Sequence, residues 1–261
     1  MIRNRGCVVG IVLLVILAIL LSVGLDLFTD LAWFATLDAE SVLWKRIAAE
    51  WLLFLIAWVV ATLLLGGNWW LARRFTGSGQ MTVPWLRQEA TQYGTTAEPT
   101  TRVIAARVAN GIVLAAAVAV GFLFAWPVRS LWLTALMSLN GAAFGQTDPV
   151  LGRDIGFYVF RLPWLQSLQG WFLWLVLLAL GGSALIYLAG FSAERLISRI
   201  QVVDKRRPWL RLSPSAERHL LVLGAVGLGL IAWGYQLSIP RLLYSSSGAA
   251  FGAGYTDVHV R

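Results

Sequence analysis

Five long stretches of this chain contain no Asp, Glu, Lys, Arg or His: residues 7–25, 51–71, 108–126, 164–191 and 220–239. A 19-residue helix is roughly 28 Å long at 1.5 Å per residue, close to the ~30 Å apolar core of a bilayer. The first stretch holds 14 Leu, Ile or Val residues. Together they favour insertion by about 4–8 kcal/mol, and there is no central Arg to offset that by about 3 kcal/mol. A buried helix in a water-soluble protein is the bland alternative. Five such stretches in 261 residues, a mean hydropathy of +0.71 and only 13% charged residues weigh against it. The expected fold class is therefore all-α. It is a polytopic transmembrane bundle of five spans, near residues 7–28, 48–71, 106–126, 164–191 and 219–239, with one or two interfacial helices.

Orientation follows from the basic residues. Fourteen Lys and Arg lie before the first stretch, between the second and third, and between the fourth and fifth; seven lie in the remaining segments. The positive-inside rule then predicts a cell-membrane protein with its N-terminus in the cytoplasm and its C-terminus outside. The net charge of +8 needs no nucleic acid, since the basic residues flank membrane ends, where anionic headgroups attract them. Lys205, Arg206 and Arg207 lack the aromatic stacking surface of an RNA-binding module. Arg3 and Arg5 precede the first stretch as in a signal peptide, but its length and the four stretches after it predict an uncleaved anchor. Cys7 is the single cysteine, so no internal disulfide is available.

Trp44, Trp51, Trp69, Trp70, Trp126, Trp132 and Trp164 sit near span ends, as an interfacial belt requires. Small residues recur four apart at Gly111, Ala115 and Ala119, at Ala179 and Ser183, and at Ala225 and Gly229. Such faces let helix backbones approach closely, so they are expected to pack inside the bundle. Asn68, Asn110, Gln166, Gln169 and Gln236 lie near span ends, where water or headgroups are expected to satisfy them. Ion pathways ordinarily need ionisable groups within the membrane, and these cores have none, which weighs against coupled transport. The pairs Gly66-Gly67 and Gly181-Gly182 are read as packing positions rather than helix breaks.

Between spans, Asp38 reads as the N-cap of the second helix, and Ser213-Pro214 as the cap and first residue of the fifth. Residues 76–101 and 192–218 read as basic-side loops. Residues 131–139 suit a short interfacial helix, Asp148-Pro149 marks a turn, and Pro163 suits a helix start. Asp148 and Asp154 are six residues apart. Their turn-forming reading outweighs a cation site, because Ca²⁺ wants six to eight oxygens. Asp257 and His259 would share a face of an extended segment, but no nucleophile or third metal ligand accompanies them. His219 reads as interfacial rather than as a ligand.

FGQTDPVLGRDIGFYVFRLP at residues 144–163 and RLLYSSSGAAFGAGYTDVHV at 241–260 carry a family resemblance. So do DLAWFATL and the Arg218-His219-Leu220 start of the fifth span. The chain is similar, over essentially its whole length, to uncharacterised protein family 0182, large bacterial integral membrane proteins. That resemblance implies a multi-span N-terminal region followed by a large extracytoplasmic region, so a chain ending at Arg261 is expected to be truncated, with residues 241–261 an extracytoplasmic tail. It carries over no catalytic residues. The leading expectation is a membrane anchor or assembly region of an envelope protein, with the bilayer and envelope or membrane proteins as partners. A transporter or channel component is the second reading. A membrane enzyme using Asp148, Asp154, Asp257 or His259 is the third. No catalytic, metal-binding or cofactor-binding residue is assigned, and no cofactor is expected.

Overall fold

The computed structural model describes residues 3–76, 99–200, 213–246 and 251–255. Five of its helices are long and apolar enough to cross a membrane, and no strand forms among the described residues. The helices are α1 (Arg3–Thr36), α2 (Glu40–Phe75), α3 (Pro99–Ala125), α4 (Trp132–Asn140), α5 (Leu162–Ile200) and α6 (Pro214–Leu242). A 3₁₀ turn, Trp126–Leu131, joins α3 to α4, and a π turn, Phe157–Arg161, leads into α5. The sequence predicts a loop from residue 192, but α5 continues to Ile200. Asp257, His259 and most of the two expected basic loops, including Lys205, Arg206 and Arg207, lie outside the described residues.

The chain divides into two compact units, residues 1–52 and 53–261. In the first, α1 ends in a Schellman turn. The Ala39 N–H donates to the Phe34 carbonyl at 3.0 Å and the Asp38 N–H to that of Ala35 at 3.3 Å. Asp38 has φ +53°, the left-handed conformation this turn requires. It therefore closes α1 and does not cap α2, correcting the sequence expectation: the turn geometry leaves it one residue before the position a cap would occupy. Asp38→Gly is expected to stabilise the protein by about 0.5–1 kcal/mol, since glycine takes this conformation without a Cβ clash. A thermal midpoint in detergent that stays put or falls would show that Asp38 carries no strain. Beyond the turn, Arg46 pairs with Glu50 at 2.9 Å, one turn on, and with Asp30 at 3.8 Å.

In the second unit, α2, α3, α5 and α6 share a core of Ala61, Leu65, Ala117, Leu175, Ala179 and Leu223. A second cluster, Phe54, Ala57, Ala125 and Val128, closes the 3₁₀ corner. A third, Ala72, Tyr187 and Ala216, lies at the other end. Small residues permit these approaches: a Cβ on Gly121 would come within 2.8 Å of the Thr62 hydroxyl, and one on Gly182 would strike the Trp69 indole. Neither Gly-Gly pair breaks its helix.

Two small-residue faces behave differently from expectation. Ala179 and Ser183 are buried, but Gly111, Ala115, Ala119, Ala225 and Gly229 are exposed. α3 instead buries Ala117, Gly121 and Ala125, while α6 turns Leu223 and Gly227 inward. These helices are small-residue-rich on several faces, and shape matching to the neighbour selects one. Large side chains cover the outside, with Leu63 and Leu123 68% and 71% exposed. So continuous an apolar surface fits a lipid solvent.

Three amides also depart from expectation. The Asn68 Nδ2 donates to the Leu64 carbonyl (2.6 Å), Gln169 Nε2 to that of Leu230 (2.8 Å) and Gln166 Nε2 to that of Leu237 (3.3 Å). They are satisfied by the protein because helix carbonyls lie within reach. A Cβ on Gly234 would lie 2.7 Å from Gln169 Nε2, so the glycine makes room for that bridge. Asn110 and Gln236 are exposed.

Candidate functional site

The 141–161 loop contains both described candidate carboxylates, and the structure gives each a role in the turn. At Asp148, Oδ1 accepts from the N–H groups of Val150 (2.9 Å) and Leu151 (2.6 Å). Its Oδ2 accepts from the Arg153 N–H (3.0 Å) and the Tyr158 hydroxyl (2.6 Å). The first bond is an Asx turn, which explains why Asp precedes Pro149 here. At Asp154, Oδ1 accepts from the N–H groups of Phe144 (3.0 Å) and Gly156 (2.7 Å), and Oδ2 from Gly145 (2.9 Å). Backbone bonds between Asp148 and Arg153, and between Ile155 and Gln146, complete the staple.

Glycines allow this folding back. Gly145 and Gly152 have φ +71° and +65°. Gly141 lies so close to Phe160 that a Cβ would come within 2.7 Å of its ring, and Phe160 stacks on Phe144 at 5.8 Å. Tyr158 meets Tyr244 edge-on at 6.4 Å, joining the loop to the segment after α6. The π turn sets this register: it inserts an extra residue into the helical ladder beside Tyr158 and Phe160.

The electrostatics follow from the donors. Burial pushes the Asp148 carboxyl up, but the Leu151 N–H, the Tyr158 hydroxyl and the Arg153 and Val150 N–H groups outweigh it and bring it down to about 2. The Phe144 N–H lowers Asp154 most; slight burial opposes it, and the N–H groups of Gly156 and Gly145 add to the lowering. Both carboxylates thus stay ionised as acceptors for the loop's own donors. Among the described residues, no three His, Cys, Asp or Glu side chains come together as metal ligands would.

A second polar constellation escapes sequence reasoning. His219 on α6 lies between the Tyr187 hydroxyl on α5 (2.8 Å from Nδ1) and Asn68 Oδ1 on α2 (3.1 Å from Nε2). With Nε2 protonated, the ring donates to Asn68 and accepts from Tyr187, so three helices meet through one neutral imidazole. Phe75 packs edge-on against it at 5.8 Å. The sequence places His219 at a span end, and that position is the one hint of this junction. The expected cap nearby is observed: the Ser213 Oγ accepts from the Ala216 N–H at 3.2 Å.

Asp148 and Asp154 lie in one of the two segments most specific in the sequence resemblance, and a family model covers the chain from residue 7 to residue 261. The chain belongs to the uncharacterised protein family UPF0182. A UPF0182 protein of Synechococcus sp. strain JA-3-3Ab is 37% identical over 237 residues, covering 89% of this chain and 22% of the relative. One from Cupriavidus necator is 35% identical over 96% of this chain and 25% of the relative. One from Trichodesmium erythraeum is 31% identical over 100% and 26%. The chain thus spans about a quarter of the length of these UPF0182 relatives. No solved structure matches it.

Proposed function

We propose that this chain is the membrane-embedded anchor or assembly region of an envelope protein. In this reading, residues 1–240 cross the cell membrane five times, with the N-terminus cytoplasmic, and residues 241–261 form an extracytoplasmic tail. The 141–161 loop and that tail face the outside, where they meet envelope partners or the outer part of a longer protein. The observation that carries the reading is the carboxylate-stapled loop. Its two acids are spent on internal N–H groups, which suits a preorganised contact surface better than acid–base chemistry. The short match to UPF0182 relatives adds support, since most of each relative lies beyond the matching part.

Reporter fusions test the placement. A periplasm-dependent reporter at residue 151 or after residue 246 is expected to be active, and a cytoplasm-dependent one inactive. A fusion after residue 246 active only in the cytoplasm would overturn the orientation. Solute flux through the purified protein in liposomes would sink the anchor reading in favour of a transport component.

A further inference from the structure

We propose that the 141–161 loop is a lipid-seated element in which Arg153 and Arg161 hold the phosphate of anionic phospholipid headgroups. Val150, Leu151, Ile155 and Val159 lie against the adjoining acyl boundary. The inference rests on the membrane placement proposed above, but not on the anchor role.

Three observations converge. The first is reach. The loop leaves one long apolar helical segment at Asn140 and enters the next at Phe157. The bridge between Thr147 and Asp154 folds it back on itself, which shortens its reach from the ends of those segments. In the placement proposed above, the lipid headgroup layer is therefore within its reach.

The second is charge. Asp148 and Asp154 are the only acids between residues 129 and 161. Both turn their oxygens toward the loop's backbone N–H groups, with Tyr158 the one side-chain donor among them. Arg153 and Arg161 are exposed, and neither forms an ion pair among the described residues. Arg153 is held over the Phe157 ring at 4.5 Å, which orients the guanidinium without neutralising it. Both carboxylates stay ionised but are engaged by the loop's own donors, so the two exposed guanidiniums remain outside any ion pair among the described residues, with their donors available to phosphate-bearing headgroups.

The third is the exposed aliphatic side chains of the loop. Val150, Leu151, Ile155 and Val159 are 47%, 38%, 36% and 45% exposed, although the loop around them is tied down by hydrogen bonds. Four aliphatic side chains held outward on one short loop form apolar surface that water solvates poorly. A loop resting at the interface buries them where headgroups give way to acyl chains.

The test uses the full chain with Cys7→Ser and Leu151→Cys, spin-labelled and reconstituted into nanodiscs of phosphatidylcholine alone or mixed with phosphatidylglycerol. The label is expected to be accessible to oxygen and shielded from a water-soluble nickel chelate. Retention of phosphatidylglycerol through delipidation, read by native mass spectrometry, is expected to fall roughly tenfold in Arg153→Gln/Arg161→Gln. Arg153→Lys/Arg161→Lys, which keeps the charge, is expected to retain most of it and controls for folding. A nickel-accessible label in both lipid mixtures would overturn the proposal, as would equal lipid retention in the Gln and wild-type proteins. A label shielded only when an added protein binds would overturn it too, by assigning the surface to a protein partner. Any of these results in a properly inserted helical protein leaves the anchor reading standing, so the two fail separately.

Discussion

Asp148→Ala is expected to destabilise the 141–161 loop by about 2–3 kcal/mol and to open it to proteolysis. Four donors lose their acceptor: the N–H groups of Val150, Leu151 and Arg153, and the Tyr158 hydroxyl. At about 1 kcal/mol each the gross loss is about 4 kcal/mol, and water reaching this half-exposed site recovers part of it. Asp148→Asn keeps one acceptor oxygen and is expected to lose about half as much. Acid acts on the same bonds. The Asp148 pKa falls from its ordinary value of 3.8 to about 2 in the fold, so its contribution is complete above pH 3.8. It is lost as the pH drops from there toward 2, and Asp154, also lowered, shifts stability in the same direction. Hydrogen exchange across residues 141–156 measures both effects. Wild-type protection in the alanine variant, or a loop that loosens near pH 6, would remove the staple from the account.

Gly182→Ala is expected to cost about 1–3 kcal/mol, while Gly181→Ala is neutral or stabilising by up to about 1 kcal/mol. The two glycines are adjacent on α5 but face different surroundings. A Cβ at 182 runs into the Trp69 indole, a rigid ring on α2, whereas one at 181 has nothing within 4 Å. The gain at 181 comes from alanine's higher helix propensity. Unfolding of the two variants in mixed micelles compares them directly. Equal stability would show that the approach of α2 to α5 is not close at Gly182.

Much of the fold is legible in the amino-acid sequence. The five apolar stretches locate the long helices because a charge-free stretch of that length leaves the backbone no other way to satisfy its polar groups in lipid. Local chemistry is legible too: Ser213-Pro214 caps α6, residues 131–139 match α4 within one residue, and Asp148-Pro149 is a turn. Asp38 shows where local rules stop. Asp suits both an N-cap and a left-handed C′ position, and only the path of the chain chooses between them.

The candidate site divides in the same way. The turn-forming role of Asp148 and Asp154 is readable because such carboxylates bond backbone N–H groups a few residues away, whatever the rest of the fold does. The reach of Asp154 back to Phe144 and Gly145, across ten and nine residues, needs the loop closed. Beyond the place of His219 at a span end, the junction is not legible in the sequence, since its partners are 32 and 151 residues away.

By itself, then, the sequence determined where the helices lie, which segments are turns, and that the long helices suit a lipid solvent. These properties arise from composition and from contacts within a few residues. Only the tertiary structure decided that α3 buries Ala117 and Gly121 rather than Gly111, Ala115 and Ala119. It also decided that Gln166 and Gln169 bond α6 rather than water, and that His219 joins three helices. The physical reason is common to all three. A small or polar residue states what a face permits, and close packing against one particular neighbour selects which permission is used.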